Sequence, residues 1–97
     1  DMLSPHTYTL YQNYPNPFNP VTTLKYSLPE NALVNITIHD MTGRVVSNLV
    51  NSQQSAGFKS VSWNATYDNG APASAGLYLY TIQAGDFRQS KKMILLK

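Results

Sequence analysis

Cysteine is absent from this 97-residue chain, and charged side chains are scarce at 12% of residues. Without cysteine the chain has no disulfide, no thiol chemistry and no cysteine-ligated zinc site. The net charge of +2 is too small for a general nucleic-acid binder. No apolar run approaches the ~18 residues of a membrane span, and no charged-then-apolar leader opens the chain. Any export signal is therefore expected on a longer precursor, of which this chain would be a terminal part.

Residues that support catalysis are equally scarce. The chain has two histidines, His6 and His39, and a single glutamate, Glu30. His39 and Asp40 are neighbours, so their side chains point to opposite faces if both lie in one strand, and they cannot form a dyad there. A catalytic site needs a nucleophile, a base and an orienting group within reach of one another. The sequence predicts a protein that is not an enzyme and that has no cofactor or metal.

Apolar side chains, in contrast, are plentiful and recur with a period of two. Hydrophobic residues make up 42% of the chain, enough for the single core of one small domain. Turn residues interrupt the alternation every 8 to 12 positions or so, which is typical of a β-sandwich. The predicted strands are Tyr8–Gln12, Thr22–Leu28, the segment around Val34–Ile38, Arg44–Val50, Phe58–Trp63, Leu77–Ala84 and Phe87–Leu96.

The connections complete this prediction. Asp40–Gly43 has Asp and Gly at the first and last positions of a type I turn, and Gly85-Asp86 fits a two-residue type II′ hairpin. Asn51–Gly57 is expected to be a loop, and the proline-rich segment Tyr14–Pro20 an ordered connection outside any ladder. The fold class is an all-β, seven-stranded antiparallel immunoglobulin-like sandwich without disulfides. The predicted core comprises Leu24, Tyr26, Ile36, Ile38, Val61, Trp63, Tyr78, Tyr80 and Met93.

The C-terminal segment carries an unusual concentration of positive charge. Arg88–Lys97 holds four of the seven basic residues and no acid, and it includes the apolar run Met93–Leu96. Lysines on an edge strand prevent edge-to-edge aggregation, and the same charges could serve recognition. Charge alone does not decide between these two interpretations.

Two further groups of residues have a simple structural explanation as well as a functional one. Asn64, Thr66 and Asp68 are spaced like calcium ligands, but the loop lacks the required glycine at position 69 and a later glutamate, which favours a plain turn. Four aromatic residues near the N-terminus would suit a sugar-binding platform, although such rings more often pack in the core. These residues are Tyr8, Tyr11, Tyr14 and Phe18. The alternative function is therefore a carbohydrate-binding or structural accessory domain of an extracellular enzyme.

Several motifs, taken in order, resemble one known family. They are Tyr14-Pro15-Asn16-Pro17-Phe18-Asn19-Pro20, Thr22–Pro29, Ile38–Val46 with Asp40-Met41-Thr42-Gly43-Arg44, Ala56-Gly57, Val61-Ser62-Trp63-Asn64, Asp68-Asn69-Gly70, Ser74–Tyr80 and Gln89–Lys97. The series resembles the type A C-terminal sorting domain of the type IX (Por) secretion system of Gram-negative bacteria. It is similar, more loosely, to the immunoglobulin-like domain of flagellar hook-capping proteins.

The resemblance implies a function and a set of partners. Residues 8–97 would be the sorting domain and residues 1–7 the linker from an upstream passenger. A type IX translocon would recognise the domain, and a sortase-like peptidase would remove it, so the passenger would be released or attached at the cell surface. The domain would be a monomer that binds no nucleic acid and no small-molecule substrate.

The resemblance also assigns candidate residues. Those that match the sorting signal are Gly43, Arg44, Lys91, Lys92, Met93, Ile94, Leu95, Leu96 and Lys97. Gly43 is expected to meet a turn requirement, and Arg44 to be exposed after it. Relatives often have two more carboxylates after the tryptophan, where this chain has Asn64-Ala65-Thr66-Tyr67-Asp68, so an acidic role is not implied for that loop.

Overall fold

The computed structural model describes residues 4–96 of the chain. Seven strands form two antiparallel sheets packed face to face, as predicted. The strands are β1 Thr9–Leu10, β2 Thr22–Leu28, β3 Ala32–Asp40, β4 Val45–Gln54, β5 Gly57–Trp63, β6 Gly76–Ala84 and β7 Phe87–Leu95. One sheet has the order β1-β2-β5 and the other β4-β3-β6-β7. Among the described residues no helix is long and apolar enough to cross a membrane.

The core forms where the alternation predicts it. Leu24, Ile36, Ile38, Tyr80 and Met93 have no exposed surface, because each occupies the inward position of its strand and the sheets pack on these faces. Trp63, Tyr26 and Tyr78 are also buried. Val61 is only half-buried and packs at the margin of the core. It lies on the edge strand of the smaller sheet and is less buried than the other predicted core residues.

The two predicted turns are confirmed by their backbone geometry. The amide of Gly43 donates to the carbonyl of Asp40 at 3.0 Å, which closes the β3–β4 turn. Ala84 pairs with Phe87 across the β6–β7 link. Gly85 in that link has a φ of +56°, whereas Asp86 has no positive φ. Type II′ turns require a positive φ only at the first central residue, which Gly85 supplies.

Only β2 has the predicted bounds, and the differences at the first and fourth strands have identifiable causes. The first strand covers Thr9–Leu10 rather than Tyr8–Gln12, because regular pairing with β2 stops at Tyr11, whose carbonyl accepts from the Tyr80 hydroxyl instead of from β2. The predicted loop Asn51–Gly57 is mostly strand, since β4 continues to Gln54 and pairs with the start of β3. This end of β4 has the sequence Asn-Ser-Gln-Gln, so hydrophobic alternation could not reveal it.

The proline-rich segment is an ordered connection, but it is not free of strand pairing. Its prolines lack amide donors, whereas Tyr14 and Phe18 keep theirs. Tyr14 exchanges two backbone hydrogen bonds with Thr23 of β2. Phe18 forms a parallel bridge with Leu95 of β7. The segment therefore links the two sheets of the sandwich.

Candidate recognition surface at strand β7

Strand β7 is an edge strand of the four-stranded sheet, as its basic composition suggested. Met93 and Leu95 point into the core and are fully buried or nearly so. Arg88, Ser90, Lys92 and Ile94 occupy the alternate, solvent-facing positions and are exposed. Lys91 falls on the inward-facing side and is half-buried. The candidate residues Lys91 and Lys92 thus lie on opposite faces of the strand, and the candidate Lys97 lies outside the described residues.

The C-terminal half of the outer edge of β7 is already occupied by the chain itself. The Phe18 amide donates to the Ile94 carbonyl at 3.0 Å, and the Leu96 amide donates to the Phe18 carbonyl at 2.8 Å. The amide of Ile94 donates to Asn16 Oδ1 at 3.0 Å. Gln12 Nε2 donates to the Lys92 carbonyl at 2.8 Å. We call the segment Gln12–Asn19, which makes these bonds, the clamp.

A buried asparagine holds the clamp in place from within. Asn13 is 2% exposed, and its Nδ2 donates to Thr22 Oγ1 at 2.9 Å and to the Pro15 carbonyl at 3.2 Å. Its backbone amide donates to the Tyr80 hydroxyl at 2.8 Å. Buried polar groups are stable only when they are hydrogen-bonded, so each of these partners contributes. Asn13 therefore connects the clamp to strands of both sheets.

The Tyr80 hydroxyl that completes this network stays protonated. Burial raises its pKa to about 12, against the smaller opposing effect of the Asn13 amide. The hydroxyl can then donate to the Tyr11 carbonyl at 2.8 Å while it accepts from Asn13. The hydrogen-bond network around Asn13 accordingly contains no group that titrates near neutral pH.

Aromatic packing supports the other end of the clamp. Phe18 is 1% exposed, and its ring centroid lies 5.9 Å from that of Trp63. Trp63 in turn meets Tyr78 edge-to-face at 5.5 Å, and its Nε1 donates to the Thr66 carbonyl at 3.0 Å. Such aromatic pairs prefer these tilted and edge-on arrangements. Phe18 is thus both a strand partner of β7 and part of the core.

The N-terminal half of the same edge is open. The amide and carbonyl groups that point away from β6 belong to every second residue of β7. Ile94 is one of these residues, so the others are Lys92, Ser90 and Arg88. No other described residue donates to or accepts from the backbone of Arg88 or Ser90 on this side, or accepts from the Lys92 amide. The candidate strand therefore has a closed half and an open half.

Gly43 and Arg44 lie at the closed end of this sheet. Gly43 has a φ of +90° with open space around its Cα, so the backbone conformation, not crowding, requires glycine there. Asp40 Oδ1 accepts from the Thr42 hydroxyl, the Thr42 amide and the Arg44 amide. These bonds, led by that of the hydroxyl, hold the pKa of Asp40 below its usual value.

The sheet order separates this turn from the C-terminal strand. Arg44 precedes β4 and Leu96 follows β7, which are the two edges of the four-stranded sheet. Three inter-strand spacings correspond to roughly 14 Å. The structure thus brings Gly43, Arg44 and the segment Met93–Leu96 to one end of the sheet, but not into one contiguous cluster.

The side-chain oxygens of the loop with calcium-like spacing accept hydrogen bonds within the domain. Asp68 Oδ1 accepts from the Ser47 hydroxyl at 2.9 Å, and Oδ2 accepts from the Asn48 amide at 3.0 Å. Asn64 Oδ1 accepts from the Thr66 hydroxyl. Residues 4–96 contain no group of three or more histidine, aspartate or glutamate side chains placed to hold a metal ion.

The four N-terminal aromatic residues do not form one platform. Phe18 is in the core, and Tyr8 stacks on Phe87 with centroids 5.4 Å apart while it donates to Glu30. Tyr11 and Tyr14 are exposed, at 43% and 80%. The favoured interpretation, packing within the domain, therefore holds for Tyr8 and Phe18, and these two rings are not available to a sugar-binding platform.

A shallow groove of about 410 Å³ lies on the solvent face of the four-stranded sheet. Its lining includes the amides of Asn35 and Gln83, the guanidinium of Arg88 and the imidazole of His39, and no carboxylate. Arg88 Nη1 donates to Gln83 Oε1 at 3.3 Å. His39 thus faces hydroxyl and amide groups rather than an acid.

Sequence reasoning missed the residues that occupy the edge of β7. Gln12, Asn13 and Asn16 carry no periodic pattern, and their partners are 67 to 80 positions away. The available signal was compositional: an amide side chain carries both a donor and an acceptor, so it can replace a main-chain partner in a proline-rich segment. Asn16 lies between two prolines, and its Oδ1 accepts from the Ile94 amide.

A family model gives the class of this domain. The model of the FlgD Ig-like domain matches residues 19–86, which is most of the sandwich. The chain belongs to this family of immunoglobulin-like domains. No curated protein matches the chain.

Solved structures share the fold across nearly the whole chain. PorU from Porphyromonas gingivalis, in a dimeric latent form, superimposes with a TM-score of 0.73 at 22% identity, covering 99% of this chain and 10% of that one. PorZ, a surface component of the type IX secretion system of the same organism, gives 0.61 at 21% identity, covering 93% and 11%. The chain thus spans about a tenth of either protein.

The fold also occurs in a different setting. The DNA glycosylase AlkC from Pseudomonas fluorescens, solved bound to DNA with an abasic-site analogue, gives a TM-score of 0.57 at 14% identity. That match covers 93% of this chain and 30% of the glycosylase. At these identities the similarities establish the fold, and function has to be argued from the surface.

Proposed function

We propose that this domain is a non-catalytic C-terminal sorting module that directs an upstream passenger through the type IX secretion system. A translocon would recognise it, and a sortase-like peptidase would remove it at the outer membrane. The passenger, joined through residues 1–7, would then be released or attached at the cell surface. The module would act as a monomer.

The observation that carries the proposal is a contact between two motifs of the sorting-domain resemblance. The segment Tyr14–Pro20 and the segment Gln89–Lys97 lie at opposite ends of the chain, yet Asn16 and Phe18 bond directly to Ile94 and Leu96. A single folded unit thus presents the C-terminal strand in a defined position. The shared fold with the type IX component PorZ supports the same assignment.

The charges of β7 provide the test with the least structural damage. Lys91→Glu with Lys92→Glu reverses both lysines, and surface charge changes usually alter stability by less than about 0.5 kcal/mol. The matched control is Lys25→Glu with Lys59→Glu, since Lys25 is exposed and Lys59 half-buried like the test pair, but both lie in the other sheet. Deleting Met93–Lys97 is unsuitable because it removes core side chains and clamp bonds together.

The measurement is export of a reporter fused before the domain in a host with type IX secretion. We expect the wild-type domain and the control pair to deliver reporter to the surface or medium, and the β7 pair to leave it in the periplasm. Thermal unfolding confirms that each variant is folded. Reporter retained in the periplasm with the intact wild-type domain would refute the sorting function itself.

A further inference from the structure

We propose that the open half of the β7 edge, Arg88–Lys92, is a strand-addition site for an extended acidic segment of a partner protein. The inference rests on the proposed sorting function only for the identity of that partner. Its physical basis is the edge itself, so binding can be tested apart from export.

The main-chain groups needed for strand addition are present and free. The amides and carbonyls of Arg88 and Ser90, with the amide of Lys92, point away from β6 and have no described partner. Unpaired groups along an edge are a template for a further strand. Recognition by strand addition takes its affinity from these main-chain bonds and its specificity from neighbouring side chains.

The same edge already accepts an added segment a few residues further on. Phe18 pairs with it in parallel orientation, and the side chains of Asn16 and Gln12 replace backbone partners for Ile94 and Lys92. The hydrogen bonds of the clamp thus cover the edge from the Leu96 amide back to the Lys92 carbonyl. An incoming strand would continue this addition over the remaining positions.

The charge around the open half selects the partner. Arg88 and Lys92 lie on the solvent face of the sheet, and Lys91 lies on the opposite side of the strand. Strand β7 itself has no carboxylate. Since side chains of an added strand alternate between faces, its acidic residues would meet a cation on either face. An acidic extended segment therefore fits this edge, and a basic one does not.

The free edge of β5 is the competing location. Phe58 on that strand is 61% exposed, and by the same alternation the outward backbone groups belong to Phe58, Ser60 and Ser62. Lys59 is the single charged residue of β5. Charge thus favours β7 over β5 as the edge that binds an acidic partner. Binding of the acidic partner at the β5 edge would contradict the proposal.

The first experiment uses a capped seven-residue peptide that alternates glutamate and threonine, with its lysine–threonine counterpart as the control. Amide exchange of the isotope-labelled domain is followed by NMR. We expect the acidic peptide to slow exchange at Arg88, Ser90 and Lys92 about tenfold at saturation, and the basic peptide to have no effect. Absence of binding, equal effects of the two peptides, or protection at Phe58–Ser62 would overturn the proposal.

Two substitutions of Ser90 distinguish the contribution of its backbone amide to peptide binding from that of its side chain. Ser90→Pro removes an outward amide that donates to no described residue, which an edge strand tolerates. Ser90→Ala keeps that amide and, like the proline variant, loses the hydroxyl contact with Thr81. We expect peptide affinity to fall at least about tenfold in Ser90→Pro and to stay within about twofold in Ser90→Ala. Equal affinity of the two variants would contradict strand addition.

A charge variant covers the case in which Ser90→Pro does not fold. Arg88→Glu with Lys92→Glu should reverse the preference from the acidic to the basic peptide, and an unchanged preference would overturn the proposal. In the export assay, Ser90→Pro should retain reporter while Ser90→Ala exports it. Normal export by a folded Ser90→Pro domain would mean that sorting does not use this edge. Failure of the wild-type domain to export the reporter would refute the sorting function, but not peptide binding at the edge.

Discussion

The two edges of the four-stranded sheet are closed by different chemistry. On β7, the clamp supplies backbone groups and the amide side chains of Gln12 and Asn16. On β4, the loop after β5 supplies Asp68, whose carboxylate accepts from Ser47 and Asn48 and whose amide donates to the Val46 carbonyl at 3.3 Å. One edge thus depends on neutral amides and the other on an ionised carboxylate.

The clamp closes the β7 edge at one end of the sheet, where residues 92–95 pair with Gly76–Leu79 at the start of β6. The β4 closure lies nearer the middle, because Ser47 and Asn48 pair with Ile38 and Thr37 of β3, which are level with Lys91 and Ser90 of β7. The opposite end, with the β6–β7 hairpin, has no such cover on β7. Protection of an edge strand is normally needed along its length, so an uncovered half is a feature to test.

The largest effect is expected where the clamp enters the core. Trp63→Ala removes a side chain that is 2% exposed and packs on Phe18 and Tyr78. Truncation of a large buried aromatic costs about 3–5 kcal/mol, and here it also removes the support of Phe18 against β7. Denaturant unfolding measures the free energy. A loss below about 1 kcal/mol would mean that Trp63 does not anchor the closed edge.

A smaller effect is expected from one amide of the clamp. Asn16→Ala removes the acceptor of the Ile94 amide, and a net hydrogen bond is worth about 0.5–1.5 kcal/mol. Asn16→Asp is the matched control because it keeps an acceptor oxygen at the same position. We expect faster exchange of the Ile94 amide only in Asn16→Ala. Equal exchange in both variants would show that the side-chain bond does not close the edge.

Sequence reasoning succeeded where the determining interactions are local. The bounds of β2 follow from the alternation of Leu24, Tyr26 and Leu28, since inward positions differ from their neighbours in hydrophobicity. The hairpin at Gly85 follows from turn chemistry within four residues. The cationic edge position of β7 was expected for the same reason, because composition and order along the chain were sufficient.

The same reasoning failed where distant polar groups decide the structure. Asn13 meets Tyr80 across 67 positions, and Asn16 meets Ile94 across 78. Neither contact produces a periodic pattern in the sequence. The prolines indicate where amide donors are missing, but not that Tyr14 would pair with one sheet and Phe18 with the other. The closed half of β7 could therefore not be predicted, although its residues were among the candidates.

The smallest effect concerns the carboxylate closure of β4 and its dependence on pH. Hydrogen bonds, first from the Asn48 amide and then from the Ser47 hydroxyl, lower the pKa of Asp68 below the usual value of 3.8. A lowered pKa in the folded state means that the ionised form favours folding. This contribution is complete above the unfolded-state pKa, and it is lost as the pH falls through the lowered folded-state pKa.

Asp68→Asn should therefore destabilise the domain at neutral pH, because one amide oxygen replaces two acceptors. The difference from wild type should shrink as the pH falls from neutral through the lowered folded-state pKa, because the native carboxyl then becomes protonated as well. Asp86→Asn is the control with the same charge change, since the Asp86 carboxylate accepts no hydrogen bond from another described residue. Part of the acid dependence will persist in every variant through Asp40, whose pKa is also lowered. Urea unfolding across this pH range measures the difference. If the Asp68→Asn deficit is the same at both ends of the range, the carboxylate does not close the β4 edge as a charged acceptor. The contrast with the amide closure of β7 would then fail.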